Sequence, residues 1–186
     1  MKPIILDRDG VINLESKDFI KSPEEWQPLK GSLEAIARLT QAGYDVIIIT
    51  NQSGIGRGLF SADMLTQIHV RMLDYVQQAG GKIHSILFCP HTPDAECECR
   101  KPKAGMYDEL ARRLGISYNG IYSVGDSIRD LLAAVTAGAS PVLVSTGNGK
   151  KSSKQLSDYH ELKDTPVFPT LEVFVETLLN EQNRDS

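Results

Sequence analysis

The chain has little cysteine, a single tryptophan, no excess of positive charge and no long apolar run, and most of these shortages remove a class of protein. Three cysteines in 186 residues do not build a disulfide framework. Twenty Lys and Arg against 24 Asp and Glu leave a formal net charge of -4, so no basic surface is on offer to a polyanion. Nucleic acid is therefore not the expected partner, and any phosphate site has to be a local gathering of positive groups. The first apolar run, Ile4-Ile5-Leu6, halts at Asp7, too short for the core of an export signal or for a membrane span. The expectation is a cytoplasmic protein without membrane attachment. No internal repeat and no hinge-like linker is visible.

What is present is ordinary globular material, 41% hydrophobic and 24% charged. Short apolar runs at 4–6, 46–49, 83–88, 121–124 and 142–144 have the length of buried strands. Between and after them, segments 31–42, 61–79, 104–114, 127–137 and 170–180 carry apolar residues at helical spacing. Gly43, Gly80-Gly81, Gly115 and Gly138 stand where left-handed helix stops belong. Strands alternating with helices require right-handed crossovers and a mainly parallel sheet covered on both faces. The expected fold is one doubly wound, Rossmann-like α/β domain over 1–186. The polar stretch 147–166 is expected to be a surface loop, and the tail 180–186 to fray.

Several strand ends carry chemistry. Asp7-Arg8-Asp9-Gly10 follows the first strand, delivering two carboxylates to the sheet edge where parallel α/β proteins bind ligands. Alone, such a stretch is equally a polar turn. The second strand ends in Thr50-Asn51-Gln52-Ser53-Gly54, a hydroxyl followed by backbone N–H groups that suit a phosphate oxygen. The fourth ends in Gly125-Asp126-Ser127-Ile128-Arg129-Asp130, where Asp126 or Ser127 also serves as a helix cap. Asp7, Asp9 and Asp126 at one edge repel one another, and a hard divalent cation such as Mg²⁺ is the natural remedy. Lys101 supplies a fixed positive charge.

These motifs, in this order and context, resemble the haloacid dehalogenase superfamily of phosphatases over roughly residues 3–145. The resemblance implies that Asp7 is the nucleophile and forms an aspartyl phosphate. It makes Asp9 the general acid and base, starting protonated because neighbouring carboxylates disfavour a second charge. Asp7, the backbone carbonyl of Asp9, and Asp126 would hold Mg²⁺. Thr50, the Asn51 amide and Lys101 would bind phosphoryl oxygens, and Asp130 would orient Lys101 or the metal shell.

A second constellation is Cys89-Pro90-His91 with Cys97-Glu98-Cys99, three thiols and an imidazole within residues 89–99. That set matches a closed, tetrahedral, structural Zn²⁺ site, which would order the loop ahead of Arg100 and Lys101. Together with the absence of room for a cap domain, the zinc loop narrows the resemblance. It is similar to bacterial D-glycero-D-manno-heptose 1,7-bisphosphate 7-phosphatases and their relatives, the histidinol-phosphate phosphatases. The match rests on Asp7-Arg8-Asp9-Gly10-Val11-Ile12-Asn13, on Thr50 with the run to Gly58, and on Cys99-Arg100-Lys101-Pro102. Asn13 and the Ser53-Gly54-Ile55-Gly56-Arg57-Gly58 continuation favour the heptose enzymes. The five residues between His91 and Cys97 are as few as in the histidinol-phosphate branch, and Ser127 replaces a Lys of some heptose enzymes. The family's substrate loops fall on Glu15, Ser16, Lys17 and Asp18, on Thr50, Asn51, Gln52 and Ser53, and on Arg100. A second phosphate would need Arg100 or Arg57. The implied partner is a small phosphorylated sugar, met by a monomer. Rival readings are a histidinol-phosphate phosphatase, a polynucleotide 3'-phosphatase, which the missing basic surface disfavours, and a non-catalytic zinc-stabilised binding module.

Overall fold

The structure, a computed structural model, describes residues 2–184. Six strands form one sheet in the order β3-β2-β1-β4-β5-β6, every neighbouring pair parallel. The strands are β1 (Pro3–Leu6), β2 (Asp45–Asn51), β3 (Ile83–Cys89), β4 (Tyr122–Gly125), β5 (Ser140–Val144) and β6 (Val167–Phe168). The helices are α1 (Ser32–Gln41), α2 (Ala62–Gln78), α3 (Gly105–Leu114), α4 (Ile128–Ala137), α5 (Gly149–Ser152) and α6 (Leu171–Arg184). The long helices fall where the apolar spacing places them, and Gly43, Gly80, Gly115 and Gly138 all have positive φ at their ends. No helix among the described residues is long and apolar enough to cross a membrane.

Alternation along the strands sorts the core into two layers. Ile4, Leu6, Val46 and Ile48 point to one face, where α1, α2 and α6 cover them with Ile36, Leu39, Ile68, Met72, Phe174 and Val175. Ile5, Ile47 and Ile49 point to the other, under Met106, Tyr107 and Leu110 of α3 and Ala133 and Ala134 of α4. Both faces are thus dry, which is why these strands are continuous apolar runs.

Two expectations need correcting. Segment 147–166 is not a surface loop: it coils through α5 and two 3₁₀ turns, and Leu156 and Leu162 join Leu131 and Leu143 in a satellite core. Burying two leucines stabilises this segment by roughly 3–6 kcal/mol, enough to hold a lysine-rich stretch against the sheet. The expected frayed tail is helical as far as Arg184, anchored by buried Leu171, Phe174, Val175 and Leu178. Asp185 and Ser186, also part of that expectation, lie outside the described residues.

The chain leaves β1 for β2 on one side and later returns to β4 on the other, so strand order reverses between β1 and β4. A crevice opens there at the carboxyl ends of the strands, which is where ligands bind in such sheets.

Candidate active site

Asp7 sits in that crevice, its N–H donating to Val124 O at 2.9 Å. The turn behind it is tight: the Arg8 carbonyl accepts from the N–H groups of Val11, Ile12 and Asn13. Gly10 takes φ +79°, and a Cβ there would lie 2.2 Å from Asp126 Oδ2. Only glycine lets this turn press on Asp126.

Lys101 is 2% exposed, with its Nζ donating to Asp7 Oδ1 (3.0 Å), Ile49 O (2.7 Å) and Asp130 Oδ1 (2.7 Å). Burial opposes its charge, but Asp130 and Asp7 outweigh it and hold the ammonium above its ordinary range. Asp130 accepts on its other oxygen from the Ser127 N–H and hydroxyl, at 3.0 and 2.7 Å. It therefore caps α4 and orients Lys101 together. The Asn51 side chain bonds both edges of the Lys101 peptide, at 3.0 and 3.1 Å, so it positions Lys101 from β2.

Asp9 departs from expectation. Its carboxylate accepts from Arg8 Nη2 at 2.8 and 2.9 Å, Asn13 Nδ2 at 2.9 Å and Gln52 Nε2 at 2.8 Å. Burial would raise its pKa, but Arg8 and these donors prevail and hold it below the ordinary value. Asp9 is thus ionised here, not protonated, because its neighbours are donors rather than carboxylates. Arg8 is in turn seated on His69 Nε2 (3.3 Å) of α2. Burial and the Arg8 charge push His69 down to about 4, leaving a neutral ring able to accept.

Asp7, Asp126 and Asp130 each offer an oxygen within 4.8 Å of the others. Burial first, then the charges of Asp130 and Asp7, pushes Asp126 up to about 8. Burial raises Asp7 to about 6 against the pull of Lys101. Carboxylates so disfavoured are short of positive charge, and hard oxygen donors in this number fit a divalent cation. Asp130 is engaged on both oxygens, by Lys101 and Ser127, whereas Lys101 takes Oδ1 of Asp7 and Asn148 takes Oδ2 of Asp126, so each of these two keeps its other oxygen for a cation.

The sulfur cluster forms at the end of the edge strand β3. Its contacts are Cys89–Cys97 3.7 Å, Cys89–Cys99 3.2 Å, Cys97–Cys99 3.5 Å, His91 Nδ1–Cys99 3.2 Å and His91 Nδ1–Cys89 3.6 Å. Tetrahedral ligands about 2.3 Å from an ion stand about 3.8 Å apart, so the four atoms fit a tetrahedral metal ion after slight expansion. Backbone bonds from Gln52 N to Cys89 O and from Gly56 N to Pro90 O fasten this loop to the one after β2.

Two cavities meet at Asp9, Glu15, Asn51 and Arg129. The inner one, about 70 Å³, holds Asp7, Thr50, Lys101 and Asp126. The outer one, about 320 Å³, is walled by Ser16, Lys17, Gln52, Ser53, Arg57 and Arg100. Asp18 is outside both and lines a separate depression beside Lys21 and Glu25. Sequence reasoning gave no role to Arg8, His69, Arg129 or Asn148. Arg129 opens the first turn of α4 at the crevice, so its position was a usable signal; His69 lies mid-helix and offered none.

Fold and site define a hydrolase of the HAD-like class, and the HAD-hydrolase-like family model matches residues 98–173. A D-glycero-beta-D-manno-heptose-1,7-bisphosphate 7-phosphatase of Neisseria meningitidis serogroup B is 50% identical over 97% of this chain and 96% of its own. The Bordetella bronchiseptica protein of that name is 55% identical over 83% of this chain and 87% of its own. A crystal structure of the B. bronchiseptica D,D-heptose 1,7-bisphosphate phosphatase, complexed with magnesium and phosphate, superposes with TM-score 0.92. It is 51% identical over 97% of this chain and 99% of that one. A Burkholderia thailandensis counterpart gives 0.74 at 40% identity, covering 96% and 99%. The chain belongs to the family of the D-glycero-beta-D-manno-heptose-1,7-bisphosphate 7-phosphatases.

Proposed function

We propose that this chain hydrolyses the 7-phosphate of D-glycero-beta-D-manno-heptose 1,7-bisphosphate, leaving heptose 1-phosphate. The observation that carries the reading is the pair of joined cavities. One end presents a nucleophile beside Lys101; the other is ringed by Lys17, Arg57, Arg100 and Arg129. A small molecule with a phosphate at each end matches that polarity. Histidinol phosphate carries a cationic amine at its far end, which the same ring repels.

Asp7 attacks phosphorus in line; the bond from phosphorus to the sugar oxygen breaks as an acyl phosphate forms on Asp7. The departing alkoxide takes its proton from Asp9. Asp9 must first gain that proton and leave Arg8, and the arriving phosphate dianion favours this by crowding negative charge beside it. Water then attacks phosphorus, Asp9 accepts its proton, and cleavage from Asp7 restores the Asp7 carboxylate while leaving Asp9 protonated for the next turnover. Lys101 holds Asp7 in line until its charge is lost to the acyl bond, after which the ammonium turns to the phosphoryl oxygens with Thr50. Asp7 and Asp126, with the Asp9 carbonyl, would hold Mg²⁺, which supplies neutralising charge for nucleophile and phosphate. Cys89, His91, Cys97 and Cys99 would hold a structural Zn²⁺ that keeps Arg100 and Lys101 in place.

We further read 1–186 as one catalytic domain working as a monomer, the default for a phosphatase of small metabolites. Three free thiols side by side suit a reducing cytoplasm. The product suits activation toward lipopolysaccharide precursors. The deciding experiment compares kcat/KM on both heptose bisphosphate anomers and histidinol phosphate. Loss of the distal charge-assisted bonds should place histidinol phosphate about 100-fold or more below the β anomer. Equal or reversed preference overturns the assignment.

A further inference from the structure

Segment 146–152 touches the crevice from β5, and it does so through the groups that hold the proposed cation ligands. Asp126 Oδ2 accepts from the Asn148 backbone N–H at 2.7 Å and from Asn148 Nδ2 at 3.2 Å. The Asp126 carbonyl accepts from Ser152 Oγ at 2.9 Å, and Ser152 is itself buried. On the other side of the crevice, Thr146 Oγ1 donates to the Gly10 carbonyl at 2.6 Å, gripping the turn that begins at Asp7.

Glycines make this closeness possible. A Cβ on Gly147, which has φ +53°, would lie 2.2 Å from Asp126 Oδ2 and 2.7 Å from Gly10 Cα. A Cβ on Gly149 would lie 1.7 Å from the Val144 carbonyl. Oδ2 of Asp126 is therefore enclosed by Gly10, Gly147 and Asn148, and both of its approaches are taken. Oδ1 is the oxygen left for a cation.

We propose that the strap 146–152 is the positioning element of the divalent-cation site, Asn148 fixing the rotation of Asp126 and Thr146 fixing the Asp7–Gly10 turn against it. Two ligands from different strands must be held at a set separation to bind a cation tightly, and outer hydrogen-bond partners of ligands do this in metal sites generally. Strand pairing ties down only the Asp7 backbone, through its N–H bond to Val124 O, whereas Asp126 lies beyond Gly125, the last paired residue of β4. The burial of Leu156 and Leu162 further along the same segment explains why a lysine-rich stretch stays docked. The inference rests on the proposed Mg²⁺ site and adds to it a part supplied by the fifth strand.

The test is direct Mg²⁺ titration by calorimetry on full-length wild type, Asn148→Ala, Thr146→Val, Gly147→Ala and Asp126→Asn, with circular dichroism on each. Thr146→Val should weaken Mg²⁺ binding by about 10-fold, and Asn148→Ala, which loses the side-chain bond but keeps the backbone one, by about 3-fold, with the turnover deficit closing as Mg²⁺ is raised. Gly147→Ala should weaken it further, because its methyl displaces the carboxylate. Asn148 is at the surface, so its variant stays informative if Gly147→Ala does not fold. Wild-type affinity in Asn148→Ala and Thr146→Val, with Asp126→Asn unable to bind, overturns the strap while leaving the Mg²⁺ site standing. No Mg²⁺ uptake by wild type overturns both.

Discussion

The chain carries two ligand clusters at the same edge of one sheet, and they are built on opposite terms. The carboxylates of Asp126 and Asp130 are buried and that of Asp7 partly so; they stand just after β4, in α4 and just after β1, and burial, with the charges of Asp130 and Asp7, pushes Asp126 up to about 8. The sulfurs of Cys89, Cys97 and Cys99 and the His91 ring come from eleven consecutive residues beside β3. The first cluster is open on the substrate side and made of hard oxygens, so its ion should exchange freely. The second is closed by four protein donors, so its ion should stay. On the proposed reading one serves the chemistry and the other fastens a loop, and Arg100-Lys101, directly after Cys99, is where the two would meet.

The largest expected effect breaks the oxygen cluster alone. Asp7→Asn should abolish turnover with the fold intact, because an amide cannot form the acyl phosphate. Asp9→Asn should cost roughly 10²–10⁴-fold in kcat. Wild-type rates in both, measured with circular dichroism unchanged, contradict their roles.

Chelation separates the clusters. Mild EDTA treatment should stop turnover and added Mg²⁺ restore it, while metal analysis finds zinc retained. Cys97→Ser should release zinc, loosen 89–99 and lower activity through Lys101, with the sheet preserved by circular dichroism. Purified protein without zinc, or a fully active Cys97→Ser, removes the sulfur cluster from the account.

A smaller effect sharpens the link between them. Arg100→Ala and Arg129→Ala should each lower kcat/KM on the bisphosphate by about 10–100-fold, the value of a charge-assisted hydrogen bond. A monophosphate should lose far less, and equal losses would place these arginines at the transferring group or in the loop.

The smallest effect is a dependence on pH. Asp126 has a folded pKa raised from 3.8 to about 8, so its protonated form stabilises the fold and that contribution is lost as pH rises through about 8. Mg²⁺ binds the ionised form. The rise in Tm on adding Mg²⁺ should therefore be larger at about pH 8.5 than at about pH 6.5, and smaller at neither pH than in Asp126→Asn. An increment that shrinks with pH contradicts the raised carboxylate.

Much of this is legible in the sequence because the central strands are dry on both faces. Runs such as 46–49 and strand-end Asp7, Thr50 and Asp126 are local signals, and the cysteine spacing is another. What escaped depends on contacts far apart in the chain. The ionised state of Asp9 follows from Arg8, Asn13 and Gln52 converging, and Arg8 from His69 beneath it. Segment 147–166 reads as a polar loop because Leu156 and Leu162 are its only buried apolar side chains, and Thr146-Gly147-Asn148 carries no signal beyond following a strand end. Applying the strand-end rule to β5 would have found it. The two-residue β6 carries no pattern of its own.

Acid quenching during turnover of a 7-³²P-labelled bisphosphate decides whether catalysis passes through a covalent phosphate on Asp7. Label is expected on the peptide containing Asp7, released by hydroxylamine as an acyl phosphate is, and absent from Asp7→Asn. Active wild-type enzyme that carries no label under pre-steady-state quenching, or label that persists in Asp7→Asn, would contradict it.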